Sequence, residues 1–197
     1  MQVYLVRHGQ SFQNTEDMRR AISLEDFRQL VFDSEHSALT PTGIEQAAQA
    51  AERLLPLQIT HLYASPYLRA QQTAAIIAER LGLPVTTVEG LREINAIMPP
   101  VLRRNRLRSL RSLYIRGYLH QVWPRQPESG ETWWQARRRF ATLWHDLNQE
   151  WRPSSRPALV AHRGLIWLAL RQLENLPGWR VARRELENGG ISLVEQV

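Results

Sequence analysis

Apolar positions along this chain follow two rhythms, one suited to strands and one to helices. Residues 2–6 form a short β-rich run that reads as a strand ending at Arg7-His8-Gly9. Residues 15–31 are polar and charged, with Met18, Ile22, Phe27 and Leu30 at helical spacing, and read as a helical excursion on the surface. Thr40 suits an N-cap and Pro41 a first helical position. The helix they open carries Ala47, Ala48, Ala50, Ala51, Leu54 and Leu55 on an apolar face. A second strand follows over residues 59–64. Ser65 reads as the N-cap of a helix running to Leu81, with Gly82 as its C-cap. Residues 84–88 read as a third strand. Residues 102–118 have the pattern of an amphipathic helix, with Leu107, Leu110, Tyr114 and Tyr118 on one side. Another helix spans about 131–151, with Trp133, Phe140, Leu143, Trp144 and Leu147 as its apolar members. A fourth strand at 158–161 precedes a helix at 165–173. Asn188-Gly189-Gly190 marks a turn between short strands at 182–186 and 191–194.

Strands alternating with helices imply a mostly parallel sheet covered on both faces. The expected class is α/β: a three-layer sandwich with an antiparallel strand at the sheet edge. Ligands in such folds sit beyond the carboxyl ends of the strands. His8, the Ser65–Arg69 stretch and His162 each follow a predicted strand, so the topology gathers them at one rim.

A chain of 197 residues fits one domain, residues 1–197, around a single core. The 43% apolar and 22% charged content argues against wholesale disorder. The absence of cysteine excludes disulfides, thiolate chemistry and cysteine-bound zinc. The N-terminal apolar run is too short for a signal peptide, and residues 164–170 are too few to span a bilayer. The expectation is a soluble cytoplasmic protein with no membrane partner. Net charge is +6, and every basic residue is Arg. Such a surface attracts anions; codon bias in a GC-rich genome yields the same composition. Charge alone therefore names no partner.

The rim residues carry distinct chemistries. A neutral imidazole at His8 is a competent nucleophile towards phosphorus. The neighbouring Arg7 offers a guanidinium fork for a phosphoryl oxygen, and Gly9 lets backbone approach a ligand. Arg69 falls in the first turn of a helix, where it opposes the dipole unless an anion binds there. His162 can donate to a transferring phosphoryl group.

Together, Arg7-His8-Gly9, Leu39-Thr40-Pro41-Thr42-Gly43, Ser65-Pro66-Tyr67-Leu68-Arg69-Ala70 and Ala161-His162-Arg163-Gly164 resemble the motifs of the histidine phosphatase superfamily, the phosphoglycerate mutase-like family, over nearly the whole chain. The resemblance implies a metal-independent phosphomonoester hydrolase without a cofactor, with catalytic residues His8, Glu93 and His162. His8 is then the nucleophile that carries a phosphohistidine, and Glu93 the proton donor. Arg7, Asn14 and Arg69 are then phosphate-binding residues. Glu131 is the reserve candidate for the proton donor. The region 94–128 would be a lid or substrate-specificity insertion.

This sequence departs from the family pattern in three places. Arg163 replaces the usual glycine after the second histidine, the segment after Glu93 lacks the common Trp-Glu-Gly pattern, and residues 94–125 match no relative. In that region, Arg103, Arg104, Arg106, Arg108, Arg111 and Arg116 suit either a basic lid or a solvated helix face; Arg104, Arg108 and Arg111 would share a side. The implied partner is a small phosphorylated metabolite. A phosphoprotein is an alternative, and nucleic acid is not favoured. Competing functions are a phosphoglycerate mutase and a weakly catalytic phospho-ligand-binding module.

Overall fold

The computed structural model of the protein describes residues 1–94, 107–122 and 130–197. Its strands are β1 (Gln2–Arg7), β2 (Ala21–Ile22), β3 (His61–Ala64), β4 (Val85–Thr87), β5 (Arg108–Ser109), β6 (Pro157–Ala161), β7 (Trp179–Arg183) and β8 (Ile191–Gln196). Its helices are α1 (Leu24–Phe32), α2 (Pro41–Leu54), α3 (Leu68–Leu81), α4 (Leu110–Val122), α5 (Trp133–Glu150) and α6 (Arg163–Leu173). Six strands make one sheet in the order β4-β3-β6-β1-β8-β7. The first four are mutually parallel. β8 runs antiparallel to β1, and β7 antiparallel to β8, so a hairpin finishes that side of the sheet.

Side-chain alternation along the strands separates two apolar layers. Val3, Leu5, Tyr63, Leu159 and Ala161 pack with Phe140, Trp144 and Leu147 of α5 and with the buried face of α6. Tyr4, Val6, Leu62, Ala158 and Val160 pack with Ala50, Ala51 and Leu54 of α2 and Ala70, Ala74 and Ile77 of α3. The resulting three layers are those expected from the sequence. β6 is buried at every position because both its faces are covered. Each fully buried Leu or Val there contributes roughly 1.5–3 kcal/mol.

Several local expectations are corrected. The helix expected over 15–31 starts only at Leu24, where the Ser23 side chain accepts from the Asp26 amide. Before it lie a 3-10 turn, Phe12–Thr15, and β2, which pairs with β5. On α2, Ala48 and Leu55 face outward. α3 begins at Leu68, because Pro66 disfavours helical backbone at Ser65 and Tyr67 is extended. Of the helix expected at 102–118, residues 102–106 lie outside the described residues. Arg108–Ser109 is strand, and α4 begins at Leu110. Its buried side is Leu110 and Leu113; Leu107 is 68% exposed and Tyr118 51% exposed. The shared arginine face is therefore absent at Arg108, while Arg103, Arg104 and Arg106 lie outside the described residues.

Leu110 and Leu113 join Ile22 and Phe27 in a small third cluster, with Tyr114 edge-on to Phe27 at 5.1 Å between ring centres. Three tryptophans, Trp144, Trp151 and Trp179, pack against one another beneath the sheet. Trp134 instead is exposed, and Trp123 lies outside the described residues. Among the described residues no helix is long and apolar enough to cross a membrane.

Candidate active site

β1, β3 and β6 end side by side, and the loops beyond them bring His8, Arg69 and His162 together. The backbone after β1 is fixed from three directions. The His8 amide donates to Ala161 O at 3.0 Å, and the Gly9 amide to Thr73 Oγ1 of α3 at 3.1 Å. Asn188 Nδ2 donates to His8 O at 3.1 Å, and the Gly189 amide to Arg7 O at 3.1 Å. Gly189 reaches this position with a φ of 74°, a conformation that favours glycine. Gly9 and Gly43 form a second fixed contact. A Cβ on Gly9 would stand 2.1 Å from Gly43 O, and one on Gly43 would stand 2.0 Å from Gln10 O. The Thr-Pro-Thr-Gly motif thus does more than cap α2: its glycine lets the helix start press on the His8 loop.

The imidazole of His8 is 3% exposed. Its Nδ1 lies 2.6 Å from Gly9 O, and its Nε2 accepts from Arg69 Nε at 3.1 Å. A carbonyl only accepts and a guanidinium only donates, so Nδ1 carries the proton and Nε2 the lone pair. Burial holds the His8 pKa well below 6.5, and the Arg69 charge lowers it further. The nucleophilic form of the ring is therefore the resting form.

Arg69 is 4% exposed. It donates to Ser34 O through Nη1, and its guanidinium carbon lies 5.0 Å from the centre of the Tyr67 ring. His162 is fully buried, with its ring centre 5.0 Å from that of His8 and 4.9 Å from that of Tyr67. His162 Nε2 pairs with Ser65 Oγ at 2.7 Å. Burial, then Arg69, lowers the His162 pKa well below 6.5. Arg7 donates through Nη1 to Leu186 O at 2.8 Å. Burial, then the charge of Arg163, lowers its pKa to about 10. Among the described residues, Arg7 Nε and His162 Nδ1 are buried without hydrogen-bond partners. An oxyanion between them would satisfy the Arg7 donor.

Glu93 stands at the start of α6. Its Oε2 accepts from the Gly164 amide at 3.2 Å, and its Oε1 from the amides of Leu165 at 3.0 Å and Ile94 at 2.9 Å. Gly164 is required for this approach, since a Cβ there would lie 2.7 Å from Glu93 Oε1. Burial lowers the pKa of both Arg7 and Arg69, and the Glu93 charge offsets part of that lowering. Glu131 is placed differently: it forms a two-pronged pair with Arg139, at 2.9 and 2.6 Å, and is 7% exposed. Asn14 is exposed, and its Oδ1 accepts from the Ser11 amide at 3.1 Å and from Asn188 Nδ2 at 3.2 Å. Its own Nδ2 faces no acceptor among the described residues.

Sequence reasoning missed Thr73, Tyr67, Ser34 and Asn188 as supports of the site. Ser65 was visible but read as a helix cap, whereas its hydroxyl meets His162. Of the missed residues, Asn188 carried a signal as part of a turn, and Tyr67 as a member of the motif that holds Arg69. Tyr114 and Tyr118 lie one helical turn apart on α4. Burial raises the pKa of Tyr114, and the charge of Arg69 opposes the rise. Among the described residues, no cluster of three His, Asp or Glu side chains is arranged to hold a metal ion.

Comparison with known proteins gives a consistent picture. The chain is 33% identical to a protein from Cronobacter sakazakii named probable phosphoglycerate mutase GpmB, over 99% of this chain and 85% of the relative. A Yersinia pestis protein of the same name is 34% identical over the same shares. Among solved structures, a mycobacterial glucosyl-3-phosphoglycerate phosphatase in complex with VO3 superposes with a TM-score of 0.68 at 26% identity, covering 98% of this chain and 91% of that one. Residues 3–196 match the profile of the histidine phosphatase superfamily, branch 1, and the chain belongs to that superfamily.

Proposed function

We propose that this protein is a phosphomonoester hydrolase that works through a phosphohistidine on His8. The observation that carries this reading is the ring of His8: Nδ1 is held by Gly9 O, Nε2 keeps its lone pair, and Nε2 faces the Arg69 guanidinium. Arg7 and Arg69 offset the double negative charge of a phosphate monoester, and His162 donates to the same group; such fixed charges contribute most to phosphoryl transfer. Asn14 adds a donor through Nδ2. His8 Nε2 attacks phosphorus in line. The P–N bond forms as the ester P–O bond breaks, and Glu93 gives its proton to the leaving alkoxide. In the second half, water attacks phosphorus and loses a proton to Glu93. The P–N bond breaks, and inorganic phosphate leaves.

The substrate in this reading is a small phosphorylated metabolite. The solved relative that shares this fold at 26% identity is named for a phosphorylated glycerate derivative, which fits a small-molecule substrate. The mutase names of the curated relatives favour a second reading, in which the phosphoenzyme rephosphorylates an acceptor instead of yielding to water.

A screen of phosphate esters with the wild type and His8→Ala tests the proposal. The expected result is steady phosphate release without added acceptor, falling by at least about a thousand-fold in the variant. Acid-labile label on the wild type alone marks the phosphohistidine. Near wild-type turnover by His8→Ala removes the nucleophile assignment. Phosphate that moves only between donor and acceptor glycerates, with negligible release, supports the mutase.

A further inference from the structure

One charge at the site is not used by the reaction just described. Arg163 is the first residue of α6 and directly follows the buried His162. Helical Cβ atoms tilt towards the helix N-terminus, so its side chain starts out over the rim where His8 and His162 sit. The guanidinium is exposed, and among the described residues it makes no hydrogen bond or ion pair. Glu93, the carboxylate held at the start of α6, is already bound by the Gly164, Leu165 and Ile94 amides. Gly164, the neighbour of Arg163, donates to Glu93, the proposed proton donor to the leaving alkoxide, and the charge of Arg163 contributes to the lowered pKa of Arg7. Between His162 and Gly164, Arg163 therefore stands at the rim on the Glu93 side, where the alcohol part of an ester would lie. Arg7 and Arg69 already match the two negative charges of a phosphate monoester. Arg163 is a third positive charge that no carboxylate pairs with among the described residues.

We infer that Arg163 is a specificity residue that binds a second anionic group on the alcohol portion of the substrate, a carboxylate or a second phosphate. The preferred substrates are then small phosphate esters with two acidic groups, rather than neutral sugar or alcohol phosphates. A guanidinium suits either anion, because its planar donors can bind two oxygens at once. This inference rests on the phosphate-ester reading of the site.

The test measures binding as well as turnover, so the two readings can fail separately. In the His8→Ala background, calorimetry compares 3-phosphoglycerate and fructose 1,6-bisphosphate with glycerol 1-phosphate. The expected result is tighter binding of the first two. Replacing Arg163 by Ala collapses that preference about ten-fold, the size of one charge-assisted hydrogen bond, and Arg163→Lys restores part of it. The same collapse in the ratio of kcat/KM values is expected in the otherwise wild-type enzyme. An unchanged preference, or no preference to begin with, overturns the role of Arg163. If none of the three compounds binds, the phosphate-ester reading itself falls, and Arg163 with it. Loss of the preference for the carboxylate alone, or for the bisphosphate alone, identifies which second anion the residue serves.

Discussion

At the scale of single residues, the site is organised by what surrounds each imidazole. His8 and His162 are buried and neutral, which links catalysis to stability. Both have pKa values held below the ordinary 6.5, so below that pH the unfolded chain binds protons that the folded chain does not. Stability from these groups is fully present above pH 6.5 and is lost as pH falls towards the lowered folded values. Stability, read from urea unfolding midpoints, is therefore expected to fall between pH 7.5 and 5.5. The double variant His8→Asn/His162→Asn should flatten that dependence; an unchanged slope assigns it to other groups. Glu93 is tested by leaving group. Glu93→Gln cannot supply the proton, so hydrolysis of an alkyl phosphate should fall about a hundred-fold or more. Para-nitrophenyl phosphate, whose phenolate departs unprotonated, should lose far less. Equal losses on both would mean that Glu93 serves only to cap α6.

At the scale of elements, the loop bearing Glu93 is held by α5. Arg139 Nη1 donates to Gly90 O at 2.6 Å and to Arg92 O at 3.1 Å, while its other nitrogens grip Glu131. The reserve proton donor is thus an anchor for the arginine that orders the residues before Glu93. Arg139→Met leaves the buried Glu131 with only the long contact to Arg92, 3.9 Å, and should cost about 3 kcal/mol. Adding Glu131→Leu should recover most of that stability but leave the alkyl phosphatase activity reduced, because the Gly90 and Arg92 carbonyls stay unheld. Full recovery of activity would show that the clamp does not matter to Glu93. Such a contact is invisible in sequence, since Gly90 and Arg139 are far apart in the chain and neither belongs to a motif. The strands and α2 were legible because apolar runs, Thr40 and Pro41 state their roles locally. The start of α3 was not, because Ser65 looks like its N-cap, whereas the hydroxyl meets His162 and the Tyr67 amide and the helix begins only at Leu68. β2 and β5 were hidden for a related reason: two-residue strands have no period, and only their pairing defines them.

At the scale of the whole molecule, the alternation of strands and helices was enough to place His8, Arg69 and His162 on one rim, because parallel strands send all their carboxyl ends the same way. What the alternation could not reveal is the separate small core of Ile22, Phe27, Leu110 and Leu113, against which Tyr114 of α4 packs. The sheet order has a further consequence for synthesis. β1 is translated well before β6 and β8, yet it lies between them. The hairpin turn that grips the carbonyls of Arg7 and His8 arrives equally late. A nascent chain that has not yet yielded β6 and β8 therefore lacks both neighbours of β1, and the proposed nucleophile gains its setting only once they are made.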